Sequence, residues 1–307
     1  MQKNISEIYR KLKKIKDIRI FKGEALSKHT TLKVGGTADL LVVPKSIEAL
    51  KEVLKASDRL PIKIIGNGSN ILVSDRGVRG IILKLAGGLC DIEFDGNKAR
   101  VGVGVLVPRL LAKAHEAGLS GLEFAAGIPG TVGGAVLTNM GAFGRAISKL
   151  VREITLIDRK GKEIVLKGKE LKFKYRKGPV LRGKSMIVSV VLGLRKARKI
   201  LIKKRIEKYL AAKKKKQPLS VPSAGCVFRN PKGRYAGKLI EDAGCKGFRV
   251  GGAEVSKTHA NYIINLGDAT CSDVTQLANK IKKKVKERAG VSLKYEIIDS
   301  NHLNMLS

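Results

Sequence analysis

Two glycine-rich loops carry the residue types best suited to chemistry. The first, Gly66-Asn67-Gly68-Ser69-Asn70 in GNGSNILVSD, directly follows the apolar run PIKII. The second lies in GIPGTVGGAVLTNMGAFG. It opens Gly127-Ile128-Pro129-Gly130-Thr131 and continues through Gly133, Gly134 and Asn139. Glycine lets backbone N–H groups approach an anion closely and adopt positive φ. Successive amides in such turns form nests that hold phosphate. Ser69, Asn70, Thr131 and Asn139 add side-chain donors, so the pair of loops suits a phosphate-bearing ligand. Neither loop is followed by GK[ST], and neither is a GxGxxG entering a helix after a first strand. The two common nucleotide motifs are therefore poor fits. Thiol chemistry is the second possibility. Cys226 sits in the turn-rich PSAGCVFRNP. A thiol has an ordinary pKa of ~8.5 and gives up its proton at neutral pH more readily than a hydroxyl. The same residue also reads as a small buried side chain in a turn.

These loops must be positioned by an interleaved set of helices and strands. Apolar residues three to four apart predict an amphipathic helix over 4–18. Ser46 caps a helix through about Ala56, and Pro108 opens one that runs to His115. Strands are predicted at ADLLVVP, PIKII, NILV, GIILKL, CDIEF and ARVGVG, and again at REITLID, KEIVL and SMIVSVVLGL. The stretch Gly121–Gly144 reads as loop. A basic helix follows over 197–216, then a short helix near Gly237–Ala243 and the strand-like NYIIN. The last helix is predicted from Ser272 as cap to a stop at Gly290, with SLKYEII as the final strand. Hairpin spacings outnumber βαβ units, so the expected fold is α+β with mixed sheets. The composition shifts near residue 196, which marks the main boundary.

Charge is the unusual feature. The 307 residues include 62 Lys+Arg and 26 Asp+Glu, a net +36. Nucleic acid is the first partner such a surface suggests. The basic residues are spread along the chain, however, and no nucleic-acid-binding motif accompanies them. Solvated lysine-rich faces, with a field that draws in small anions, are the preferred reading, and no nucleic-acid partner is expected. No apolar window approaches the ~18 residues of a membrane span, so no membrane association is expected. The N-terminal segment lacks the apolar core of a signal peptide. Cys90, Cys226, Cys245 and Cys271 form no CxxC pair, which argues against a disulfide framework and a zinc site. No cluster of His, Cys and Asp has metal-ligand spacing, so no metal is expected. A monomer in a reducing cytoplasm is the resulting expectation.

A strand followed by GNGSN, and later GIPGTVGGA, resembles the FAD-binding domain of the vanillyl-alcohol-oxidase (PCMH) type. Within that superfamily the chain resembles the UDP-N-acetylenolpyruvoylglucosamine reductase family. The motifs that carry this occur in the family's order: HTTLKVGGTADLLVVP, GNGSNILVSDRGVRGIILKL, GLEFAAGIPGTVGGAVLTNMGAFG, KYRKG, PSAGCVFRNP, AGKLIEDAGCKGFRVGGAEVSKTHANYIIN and a terminal Glu. The resemblance implies an N-terminal helix over 1–19, an FAD-binding domain in two subdomains over 20–196, and a substrate domain over 197–307. It implies non-covalent FAD, NADPH as co-substrate, and a UDP-sugar enolpyruvyl ether as substrate. The segment KGPVLRGKS is short, which resembles the family form without a substrate-covering tyrosine loop.

Residue roles follow from the same resemblance. Arg176 matches the family's catalytic arginine, whose guanidinium can fork onto a carboxylate as an enolate forms. Cys226 occupies the proton donor's position. Glu296 matches an acidic residue beside the intermediate, and strand alternation turns Tyr295 and Ile297 to the opposite face. Tyr175, Lys216 and Asn230 are expected to face the UDP-sugar. His29 and His259 are expected to be structural. The alternatives are another FAD oxidoreductase of the superfamily and a basic nucleic-acid-binding relative without activity.

Overall fold

Alternating and continuous apolar runs build three larger sheets. The computed structural model describes residues 2–57, 60–179, 185–300 and 303, so most of the segment KGPVLRGKS lies outside the described residues. In the first sheet the strands Ile18–Ala25, Thr37–Pro44, Val78–Lys84 and Ile62–Ile65 lie in that order. The first pair is antiparallel, and Val78–Lys84 runs parallel to both of its neighbours. The two central strands are almost wholly apolar because both of their faces are covered. Between Thr37–Pro44 and Ile62–Ile65 the chain crosses over through the helix Ile47–Ala56, whose first turn is capped by Ser46 Oγ accepting the Ala49 N–H at 3.1 Å.

The second sheet is antiparallel throughout, in the order Glu163–Lys167, Val151–Asp158, Ser185–Gly193, Lys98–Gly102, Ile92–Asp95. The first and second sheets share one continuous core. The third sheet, in the order Ser223–Cys226, Tyr262–Asn265, Ala253–Val255, Arg249–Val250, packs with the helices Ala236–Asp242 and Cys271–Ala289 around a core of its own. Leu32, Val34 and Leu72 of the first unit reach into that core. Mixed helix and strand content in an α+β arrangement is as expected.

Several local expectations change. The first helix spans Gln2–Leu12, and Asp17 beyond it takes a left-handed φ of 54°. Part of the expected loop is a short helix, Val132–Leu137, capped by Thr131. Its small residues permit this, since a Cβ on Gly133 would lie 2.9 Å from Val103 Cβ. The last helix is capped by Thr270, not Ser272. Thr270 Oγ1 accepts the Asp273 N–H, and Asp273 returns the bond to the Thr270 N–H, a capping box. SLKYEII forms no strand of the larger sheets. It bridges to Phe228 at Tyr295, and then Ile298–Asp299 pairs parallel with Ile71–Leu72 of the first unit. The basic helix Lys199–Lys216, assigned by its sequence to the C-terminal unit, packs instead on Val107–Glu116, Leu119–Ser120 and Glu123–Ala125 of the second unit. Ile206, Tyr209 and Leu210 of its apolar stripe pack against the shared core, and Ile202 of the same stripe is buried.

Candidate active site

The three units enclose a cleft of about 1190 Å³. That is at or above the upper end of drug-sized pockets, roughly 1,000 Å³, and leaves room for a dinucleotide beside a second ligand. Both glycine-rich loops line it. They also touch each other. A Cβ on Gly66 would collide with Thr131 Oγ1, and one on Gly130 would touch Ser69 Oγ at 3.4 Å. Asn67 Nδ2 donates to Pro129 O at 2.6 Å. Gly68, at φ 64°, lies so near the His29–Thr30 backbone that a Cβ would stand 2.7 Å from Thr30 Cα. Ile128, Gly127 and Gly134 line the same wall, whereas Gly133 faces Val103. Their glycines let the two loops pack this tightly on each other and on the His29–Thr30 backbone, which leaves loop backbone lining the cleft where a diphosphate can enter.

Arg176, Cys226, Tyr262 and Glu296 line the same cleft. Arg176 sits at φ 53° in a tight turn where Lys174 and Lys177 exchange backbone hydrogen bonds. A non-glycine residue held in that region stores strain, as functional positions often do. Asn139 fixes the turn by donating Nδ2–H to Lys174 O at 2.9 Å. Gly178 completes it. Its N–H bonds Leu137 O at 2.8 Å, and a Cβ there would be 2.7 Å from that oxygen. The guanidinium donates through Nη1 to Gly141 O at 3.2 Å, and its Nε lies 2.8 Å from Glu296 Oε1.

Glu296 is delivered by the C-terminal segment. Its N–H bonds Val227 O, while Asn70 Nδ2 donates to Glu296 O at 3.3 Å and Asn70 O accepts the Ile298 N–H at 2.9 Å. Tyr295 stacks on Phe228 at 5.3 Å between ring centres, and Ile297 is buried in the core, so Glu296 alone of the three turns to the cleft. Burial pushes the Glu296 carboxyl above the ordinary range, with Arg176 and Arg229 opposing. Burial also pushes the Cys226 thiol up to about 12. The nearby Glu296 adds to the shift and Arg176 opposes it. Cys226 is thus a fully protonated acid facing a guanidinium.

Comparison with known proteins agrees with this geometry. A family model described as the C-terminal domain of UDP-N-acetylenolpyruvoylglucosamine reductase matches residues 217–298, and one described as an FAD binding domain matches 38–167. The reductase of that name from Bacillus licheniformis is 41% identical over 297 residues, covering 95% of this chain and 98% of the relative. That from Moorella thermoacetica is 44% identical over 282 residues, covering 91% and 93%. The chain belongs to the UDP-N-acetylenolpyruvoylglucosamine reductase family. The crystal structure of the Thermus caldophilus reductase superposes with a TM-score of 0.80 at 37% identity, over 92% of this chain and 99% of that one. A variant of berberine bridge enzyme, 16% identical, shares the fold over 63% of this chain and 44% of its own at a TM-score of 0.50.

Within this reductase frame the remaining expected residues fall in different places. Asn70 lines the cleft, but its side chain and its backbone oxygen serve the Glu296 segment. Asn139 serves the Arg176 turn and, through Oδ1, the Ser148 N–H. Among the described residues that line the cleft, Tyr175, Lys216 and Asn230 are absent. Tyr175 is 60% exposed and its ring lies 5.7 Å from the Arg176 guanidinium. Asn230 Oδ1 accepts the Ala236 N–H at the start of a helix. Lys216 is exposed, because the helical period turns Lys213 inward in its place. Lys213 is only 4% exposed, lines the cleft beside Gly127, and donates to Ala126 O at 2.6 Å. Burial lowers its pKa to about 8. The signal for it was present: Lys213 continues the stripe Ile202, Ile206, Tyr209, Leu210. His29 bridges Glu24 and Lys84, at 3.0 and 2.8 Å, and His259 Nδ1 accepts the Asn261 N–H, each holding backbone or side-chain neighbours in place.

Proposed function

We propose that this chain reduces UDP-N-acetylglucosamine enolpyruvate to UDP-N-acetylmuramate, with FAD bound non-covalently and NADPH as co-substrate, in peptidoglycan precursor synthesis. The observation that carries the reading is one cleft lined both by the two glycine-rich loops and by Arg176, Glu296 and a protonated Cys226. Residues 66–70, 127–131 and 134 would hold the FAD. Bound FAD supplies the hydride chemistry, taking hydride from NADPH and passing it to the enolpyruvyl methylene carbon.

The protein's own residues do the rest. Arg176 binds the enolpyruvyl carboxylate, and its hold strengthens as negative charge builds there. Glu296 aims the guanidinium through the Nε contact and keeps it in the cleft. Cys226 gives its S–H proton to the alpha carbon, leaving a thiolate that Arg176 faces. Lys213 offers a cation to the substrate's diphosphate. Tyr175 and Asn230, outside the cleft lining, would meet the UDP-sugar only where it extends beyond the cleft, and the C-terminal unit from about residue 217 supplies Cys226 and Glu296. On this reading the protein works as a cytoplasmic monomer and needs no nucleic-acid partner. Among the described residues no helix is long and apolar enough to cross a membrane, and no cluster could hold a metal ion.

The test is an absorption spectrum of the purified protein, followed by anaerobic NADPH and then the enolpyruvyl substrate. Flavin bands that bleach with NADPH and recover on adding that substrate are the expected result. A protein that binds no FAD, or whose reduced flavin ignores the substrate, overturns the reading.

A further inference from the structure

Cys226 has a direct cross-strand partner. In the antiparallel pair of Ser223–Cys226 with Tyr262–Asn265, Cys226 stands opposite Tyr262. Directly opposed residues present their side chains on the same face, with Cβ atoms ~4.5–5.5 Å apart. Both line the cleft. Tyr262 is only 8% exposed, and its phenol and the Cys226 thiol lie near enough to shift each other's ionisation. The ring cannot easily leave. Its backbone is held by the His259 carbonyl and the Ser256 N–H, and its face meets the His259 ring edge-on at 5.0 Å.

We propose that Tyr262 is the positioning residue of the proton donor: its hydroxyl donates to Cys226 Sγ, aims the S–H into the cleft, and stabilises the thiolate as the proton leaves. This rests on the reading of Cys226 as the acid. A half-buried thiol lining such a cleft is a costly acid, because its conjugate base is a poorly solvated anion. Something must offset that cost at the moment of transfer. A neutral thiol sulfur is a weak acceptor, whereas a thiolate accepts a charge-assisted bond from the same O–H. The contact is therefore stronger in the transition state than before it, which is what accelerates a step. The balance is simple. The S–H proton goes to the alpha carbon, the S–H electron pair stays on sulfur, and the phenol keeps its own proton. Burial and the adjacent Cys226 and Glu296 hold the phenol well above its ordinary range, so it stays a donor throughout. Water returns the thiolate to the thiol after product leaves.

The test uses the FAD-loaded enzyme and the variants Tyr262→Phe, Cys226→Ala and the double variant. Reduction by NADPH and reoxidation by the enolpyruvyl substrate are followed separately by stopped flow. Tyr262→Phe is expected to slow reoxidation roughly ten- to hundredfold, and NADPH-driven reduction by less than about twofold. In the Cys226→Ala background the same change is expected to add nothing. A second readout needs no turnover: alkylation of Cys226 by iodoacetamide near pH 10, scored by peptide mass spectrometry, should slow in Tyr262→Phe. Equal slowing in both backgrounds, or none in either, overturns the role of Tyr262. Reoxidation of Cys226→Ala at the parental rate overturns instead the reading of Cys226 as the acid. Should Tyr262→Phe lose flavin, Tyr262→Met fills the space without a donor and carries the same expectations.

Discussion

Arg176 Nε and Glu296 Oε1 stand 2.8 Å apart, the first on a turn of the middle unit and the second on the C-terminal segment. Each backbone is pinned by an asparagine from a different glycine-rich loop. Asn139 bonds the Arg176 turn through Lys174 O, and Asn70 bonds Glu296 O. The two glycine-rich loops therefore also set this pair, so on the proposed reading cofactor site and active site share one frame.

Glu296→Gln tests the pair. It keeps volume and removes charge, so turnover should fall at least ~100-fold while flavin is retained. Burial raises the Glu296 carboxyl above the ordinary 4.5, with Arg176 and Arg229 opposing. The parent's kcat should thus decline on the acid side at a pH above the usual carboxylate range, as Glu296 takes up a proton and releases Arg176. An acid limb that survives unchanged in Glu296→Gln would assign it to another group.

The reading of Cys226 as the acid makes a prediction for the alkaline side. An ordinary thiol would lose its proton near ~8.5, but this one is held to about 12. Turnover should show no thiol limb between roughly pH 8 and 10. Cys226→Ala should lose about 10²–10⁴ in the substrate-driven half-reaction. Cys226→Ser, with a weaker acid in the same place, should fall between the two. A parental profile that drops near the ordinary thiol value would contradict the buried acid.

Much of this was legible in the residues. Glycines marked both loops, and alternation along Tyr295, Glu296 and Ile297 sorted the cleft face from the core face. What stayed hidden was long-range. Asn70 and Asn139 look like anion donors because an amide in a glycine loop is well placed for that. Their true partners, Glu296 and Lys174, are set by topology and not by spacing. SLKYEII looks like a sheet strand because its pattern suits one, yet it is an extended crossover whose backbone is shared between Phe228 and Ile71–Leu72. Tyr262 reads as an ordinary buried strand residue until the register places it opposite Cys226.

Two glycines with the same backbone separate strain from collision. Gly68 (φ 64°) and Gly144 (φ 72°) are both left-handed, but only Gly68 has backbone within reach of a Cβ. Gly144→Ala should cost about 1 kcal/mol of stability and keep its flavin. Gly68→Ala should force the loop off the His29–Thr30 backbone and weaken FAD binding at least ~10-fold, since the approach to the diphosphate depends on that loop. Flavin retention after gel filtration and a thermal melt of each variant read the two effects. Equal flavin retention in both would remove the Gly68 loop from the binding site.

Lys213 makes the last prediction, because its charge is conditional. The buried ammonium has its pKa lowered to about 8, against an ordinary 10.5. Affinity for the anionic substrate should therefore weaken as pH rises through about 8 and the lysine loses its charge. Lys213→Met should raise KM about tenfold with kcat little changed, and abolish that pH dependence, while the exposed Lys215→Met should do neither. Stability supplies a check with a definite sign. Between about 8 and 10.5 the unfolded lysine is protonated and the folded one is not, so the parent gains stability as pH rises across that window. Lys213→Met removes the group, so its Tm relative to the parent should fall as pH goes from about 7 to 10. A relative Tm that is flat with pH would mean that Lys213 keeps its charge, and a KM that is unmoved would mean that the substrate does not use it.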